Sequence, residues 1–169
     1  IEAWAWTETD RILHVLPLHH IHGIVNVLMC ALWAGATCEF LSQFDEKQVW
    51  ERLGSGELSL FMAVPTIYNK LITAWNRAGE EDQMRWSAGS ARLRLMVSGS
   101  AALPVKTLET WQVVTGQVLL ERYGMTEIGM ALANPLLGPR VAGHVGQALS
   151  NMEVRRVDDG GHLAADDVP

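Results

Sequence analysis

Within the stretch LLERYGMTEIGM (Leu119–Met130), an arginine, a tyrosine, a glycine, a threonine and a glutamate fall inside six consecutive positions, Arg122 to Glu127. Several of these groups have a use in handling a nucleotide. Tyr123 presents a flat face on which a base can stack, and Thr126 offers a hydroxyl to a phosphate or Mg2+. Glu127 offers a hard oxygen ligand of the kind Mg2+ takes alongside substrate phosphates. The competing reading is helix capping, with Thr126 as an N-cap and Glu127 as a first-turn acid. Capping accounts for two residues but not for the aromatic–glycine–x–threonine–glutamate string as a whole.

Two other clusters carry unusual residues. LPLHHIHG places His19, His20 and His22 within four positions. Neutral imidazole is a common metal ligand, but the spacing is not the i, i+4 pair of a helical site, and no Cys or carboxylate follows at ligand spacing. A polar lining for a substrate pocket fits better, strongest for His20 and then His22. SGSAALP (Ser98–Leu103, then Pro104) is a turn of small residues before a proline. Small side chains let a ligand approach the backbone, and the helix that follows favours an anion at its N-terminus.

The elements that must position these clusters read as alternating strands and helices. Ile12–Pro17, Ala36–Leu41, Leu58–Val64, Leu93–Gly99 and Val118–Gly124 are apolar runs of strand length, and Met152–Asp158 is an alternating, more peripheral strand. Between them, IVNVLMCALWAG predicts a mostly buried helix ended by Gly35. Asp45 with Gln48 three residues on predicts a capped helix to Gly54. Pro65 and Pro104 open helices closed by Gly79 and Gly116. Glu80–Ala91 reads as a polar loop. The expected class is α/β, a mainly parallel sheet with helices on both faces. In such sheets ligands bind at the carboxyl ends of the strands, where all three clusters fall.

Bulk properties set the outer bounds. The 169 residues carry a net charge of −6, with no clustered basic face to suit nucleic acid. The longest apolar run is too short to cross a bilayer, and Cys30 and Cys38 lie in apolar segments as expected of free thiols. No G-x-G-x-x-G follows a strand, which disfavours a dinucleotide-dependent oxidoreductase.

YGMTE matches the Tyr-Gly-x-Thr-Glu motif of the adenylate-forming (AMP-binding) acyl-CoA synthetase superfamily. LPLHHIHG resembles its Pro-Leu-aromatic-His motif, VSGSAALP its small-residue loop, and VAGHVGQALSNMEVRRVD its later glycine-rich segment. The four occur in the family's order and cover essentially the whole chain. LPLHHIHGIVN, FMAVPTIYNKL, RLMVSGSAALP and LLERYGMTEIGMAL look most like the malonate-activating, mitochondrial branch of that family.

The resemblance implies that residues 1–169 are the central portion of the family's large N-terminal domain. The implied substrates are ATP, a carboxylic acid and coenzyme A, with Mg2+ as cofactor. Gly99, Ser100 and Ala101 would line the adenine and acyl pocket, Tyr123 would stack on adenine, and Thr126 would contact the nucleotide phosphate. Glu127 would hold Mg2+ with Thr126 near it, His20 would sit beside the reacting carboxylate, and Gly124 and Met125 would border the acyl site. A dicarboxylate such as malonate needs a cation for its second carboxylate, for which Arg122 is the first candidate and Arg140 the second.

Departures from the family pattern bear on activity. The phosphate loop, the ribose-binding Asp and the C-terminal domain with its lysine are absent, and ALSN stands where Pro-Leu-Pro-Gly is usual. The expectation is that these residues alone form no adenylate. A ligase for methylmalonate or a medium-chain acid, and a non-catalytic product or interaction module, remain as alternatives. A mitochondrial location is implied by resemblance only.

Overall fold

The structure, a computed structural model, describes residues 1–150, 152–160 and 162. Seven strands form one sheet in the order β2-β1-β3-β4-β5-β6-β7. The strands are β1 (Arg11–His14), β2 (Thr37–Phe40), β3 (Leu60–Ala63), β4 (Leu95–Ser98), β5 (Leu120–Met125), β6 (Gly129–Ala133) and β7 (Gln147–Ala148). β1 to β5 run parallel, and β6 and β7 add antiparallel at one edge.

The parallel strands are apolar on both faces because both faces are covered. Leu13, Phe61, Ala63 and Met96 point to one side, where helices α2 (Glu46–Gly54), α3 (Pro65–Arg77), α4 (Glu80–Ser90) and α5 (Val105–Thr115) pack. Ile12, Leu60, Met62, Leu95, Val97 and Leu120 point to the other, against Trp4, Trp6, Val27 and Ala31. The four-helix face is tied by aromatics: Trp50 stacks on Trp86 and Trp111 at 5.5 and 5.3 Å, and Tyr68 meets Trp111 edge-on at 4.8 Å. Two polar atoms of this core are satisfied by backbone, Trp50 Nε1 donating to the Leu71 carbonyl and the Tyr68 hydroxyl to the Val97 carbonyl, both at 2.8 Å, whereas Trp86 Nε1 meets no acceptor among the described residues.

The other face is covered by a π-helical segment, His22–Met29, that continues as α1 (Cys30–Ala34) and ends at Gly35 with φ of 74°. The expected helix is therefore present but wider and underwound in its first half. Gly23 enters where a Cβ would run into the Pro17 carbonyl, so the chain can pass this close only as glycine. Asp45 caps α2 as expected, accepting from the Gln48 amide at 2.8 Å.

Two expectations fail. The segment expected as a polar loop, Glu80–Ala91, is largely helix α4, with three acids in its first turn that suit the helix dipole. Met152–Asp158 does not add a regular strand: residues 152–156 are irregular, and Val157 makes only an isolated bridge. The antiparallel addition instead comes from β6 and β7. Asn151 of ALSN lies outside the described residues.

Candidate active site

The strand order reverses between β1 and β3, since β1 leads to β2 on one side and β3 continues the sheet on the other. Crevices of parallel sheets form at such a reversal, beyond the carboxyl ends of the strands. A cavity of about 810 Å3 lies there, walled by Val15, Leu16 and Pro17 after β1 and by Val64 and Thr66 after β3. His20, His22, Ser100, Gly124, Met125, Thr126 and Glu127 complete much of the wall. All three sequence clusters therefore converge on one cavity.

YGMTE begins at the end of a strand, as expected, but does not go on into the capped helix of the competing reading for Thr126 and Glu127. No helix begins at Thr126. Tyr123, Gly124 and Met125 end β5, and Thr126–Ile128 turn the chain back into β6. The pairing of β5 with β6 shifts register between Tyr123 and Gly124, a bulge of the kind that re-aims side chains beside a site. Gly124 is required there, because a Cβ would collide with the Gly129 carbonyl of the returning strand. Thr126 and Glu127 are exposed and have no side-chain hydrogen-bond or salt-bridge partner among the described residues, so their oxygens are free for a ligand.

A smaller cavity of about 270 Å3 adjoins the first, and Ser100 and Gly124 line both. Ala101, Ala102, Arg122 and Tyr123 also line it. Tyr123 keeps 45% of its surface exposed, with its hydroxyl donating to Met125 Sδ at 3.7 Å, which leaves a ring face available for stacking. Gly99 lines neither of the two cavities. It is buried behind the wall, and a Cβ there would strike the Arg122 guanidinium, so its hydrogen makes room for that side chain.

Arg122 is the most unusual group of the site. Only 4% of it is exposed, yet Nε and Nη2 meet no acceptor among the described residues. Burial holds its pKa down at about 10. A buried guanidinium with unmade hydrogen bonds is costly, and a ligand anion would relieve that cost. Nearby, buried His22 pairs through Nδ1 with the Ser100 hydroxyl at 3.1 Å, while its Nε2 is unpartnered. Burial first, then the charge of Arg122, pushes His22 down to about 3, so the ring is neutral at physiological pH. Ser100 itself sits at φ of 69°, an uncommon conformation for a non-glycine residue that recurs at functional sites.

The three histidines of LPLHHIHG are separated by this fold. His19 and His20 sit on an exposed turn with ring centroids 4.4 Å apart, whereas His22 faces the interior. Arg140 is not brought to the site. Its guanidinium donates to the carbonyls of Val118, Pro135 and Leu136, at the opposite end of β5 from Tyr123. Sequence reasoning missed the contribution from the carboxyl end of β3. Val64, Thr66, Ile67 and Lys70 line the large cavity together with Phe44. The signal was present, since VPT is a strand-to-helix junction like the others, but it carries no unusual residue.

Glu127 and Thr126 supply the hard oxygens that Mg2+ prefers, free of internal partners and on the wall shared with the cavity, so the donor set fits that ion. Comparison with known proteins agrees with the geometry. Residues 1–169 match the family described as AMP-binding enzyme. The chain is 57% identical over 163 residues to malonate–CoA ligase ACSF3, mitochondrial, of Xenopus laevis, covering 93% of this chain and 28% of that protein. It is 52% identical over 167 residues to the Homo sapiens protein of the same name, covering 94% and 29%. The fold superimposes on ATP-bound MatB from Rhodopseudomonas palustris with a TM-score of 0.85 and 33% identity, covering 97% of this chain and 31% of that one. The chain thus spans under a third of the length of these relatives. With its motifs gathered on one cavity at the sheet reversal, the chain belongs to the AMP-binding enzyme family.

Proposed function

We propose that the polypeptide carrying this chain is an ATP-dependent acid–CoA ligase whose acid is malonate. The observation that carries the choice of acid is the buried, unpartnered guanidinium of Arg122 on the wall of the cavity that adjoins the larger one. A fatty-acid site would be lined there by apolar groups. A dicarboxylate instead gives Arg122 the bidentate partner its fork geometry favours. The names of the relatives from Xenopus laevis and Homo sapiens support the same acid and a mitochondrial location.

In the first step a carboxylate oxygen attacks the α-phosphorus of ATP. A new P–O bond forms, the bond to pyrophosphate breaks, and an acyl-adenylate results. In the second step the thiol of CoA attacks the acyl carbon. A C–S bond forms, the C–O bond to AMP breaks, and the thiol proton is released. Both steps bring anions together, so the protein's task is positioning and charge neutralisation.

Tyr123 stacks the adenine, Ser100 and Ala101 let the nucleotide lie close to the backbone, and Thr126 contacts phosphate. His20 stands at the cavity wall beside the reacting carboxylate, and Gly124 and Met125 border the acyl group. Glu127, with Thr126, would hold Mg2+, which when bound neutralises phosphate charge. Neutral His22 and Arg122 hold the second carboxylate.

The test is a panel of carboxylic acids in a pyrophosphate-release assay on the full-length protein and its Arg122→Ala variant. Malonate should be the preferred acid. The substitution should raise the apparent KM for malonate by about a hundredfold, while that for a monocarboxylate changes little. Equal losses for both acids would remove Arg122 from substrate selection.

A further inference from the structure

His14 ends β1 and borders neither the large cavity nor the smaller one beside Tyr123, yet it is only 4% exposed and both of its ring nitrogens are engaged. The Leu16 amide faces Nδ1 at 3.3 Å, and an amide N–H can only donate. Nδ1 is therefore the bare nitrogen, so Nε2 carries the hydrogen and donates to the Gly23 carbonyl at 3.0 Å. Burial lowers the pKa of the ring, which keeps it in this neutral form. Phe40, its register partner on β2, stacks on it at 4.9 Å and fixes the plane of the imidazole.

One ring thus ties together the two ends of the segment from Leu16 to Gly23, which carries His20 and His22. Gly23 is held from a second side, because the Pro17 carbonyl packs where its Cβ would be. The residue before it, His22, opens the π-helical segment with its ring on the Ser100 hydroxyl and its Nε2 unpartnered. A π-turn closes its hydrogen bond one residue later than an α-turn, so the direction of its first side chain depends on where that turn is anchored. The anchor here is His14. We propose that His14 is a positioning residue for acid selection: its bond to the Gly23 carbonyl holds the His22 ring on Ser100, where it meets the second carboxylate of the acid. This role rests on Arg122 and His22 holding that carboxylate, and extends acid selection to a residue that touches no substrate.

Three substitutions in the full-length protein separate the two bonds. His14→Leu removes both, His14→Asn keeps an acceptor near the Leu16 amide, and His14→Gln keeps an N–H donor near the position of Nε2. His14→Leu and His14→Asn should each raise the KM for malonate about tenfold, with kcat and the KM values for ATP and a monocarboxylate nearly unchanged. His14→Gln should bring the KM for malonate back to within about twofold of wild type. Equal losses for both acids, or no recovery with His14→Gln, would overturn the proposal. Where His14→Leu does not fold, the contrast between His14→Asn and His14→Gln decides. In a His22→Ala background, His14→Asn should add less than about twofold, because the ring it positions is gone. A full tenfold rise there means that His14 acts by another route and overturns the proposal as well. Arg122→Ala, assayed beside them, keeps the two readings apart. Equal losses for both acids in Arg122→Ala overturn the acid reading and this role together. A malonate-selective loss in Arg122→Ala beside an unselective one in His14→Asn overturns the role of His14 alone.

Discussion

Residue by residue, the site is organised around one guanidinium and the space made for it. Arg122 reaches its position because Gly99, on the neighbouring strand's exit, has no side chain. Gly99→Ala places a methyl group against Nε and Cζ, so the guanidinium must shift. The expected result is a rise of about tenfold in KM for the dicarboxylate, with kcat for a monocarboxylate nearly unchanged. Steady-state kinetics with both acids would show it, and equal kinetics for wild type and variant with malonate would mean that the guanidinium does not set acid selection. The motif residues were readable from their chemistry, and Arg122 from its place before Tyr123. His22 was readable as a pocket residue, but its hydrogen bond to Ser100 and the room Gly99 makes for Arg122 were not, because both are contacts between residues distant in sequence that no local spacing encodes.

At the level of elements, close approaches decide which helices can pack. Gly89 of α4 crosses α2 where a Cβ would strike the backbone of Gly54. Gly89→Ala should therefore force the helices apart and destabilise the fold by about 1–3 kcal/mol, measured by urea unfolding. A midpoint equal to wild type would mean that the crossing yields without cost. The same crossing lets a segment with no apolar stripe form a packed helix. Its sequence is polar apart from a few positions, and its burial rests on Trp86, Gly89 and Ser90 rather than on an apolar stripe. Strands β1 and β3 to β5 were legible for the opposite reason, since a strand covered on both faces is apolar at nearly every position. β6 was hidden by its surroundings: it begins at Gly129, directly after the TEI turn, and its pairing depends on β5 rather than on a pattern of its own. β7 is two residues long and carries no periodicity to find.

Across the whole molecule, one carboxylate at the far end of the sheet from the site ties together segments distant in sequence. Asp10 accepts from the Ser59 hydroxyl at 2.6 Å and from Arg94 Nε and Nη2 at 2.8 and 2.6 Å. Arg94 in turn donates to the carbonyls of Trp4 and Ala5, so the N-terminal segment, β1, β3 and β4 meet at this cluster. Burial works to raise the Asp10 pKa, but the hydrogen bonds from Arg94, Ser59 and the Thr7 amide, with the charge of Arg94, outweigh it and hold the carboxyl at about 2. That lies below the ordinary value of 3.8. The native state therefore binds fewer protons than the unfolded chain between those values. Its contribution is complete above about pH 4 and is lost as pH falls towards 2. Asp10→Asn should lower stability at pH 7 by about 2 kcal/mol, the loss of a buried pair discounted for the partly exposed Arg94. It should also flatten the decline between pH 4 and 2, so that the wild-type and variant curves converge in acid. Denaturant unfolding at a series of pH values measures both effects. Parallel curves across that window would mean that other carboxylates, and not Asp10, set the acid limit of the fold.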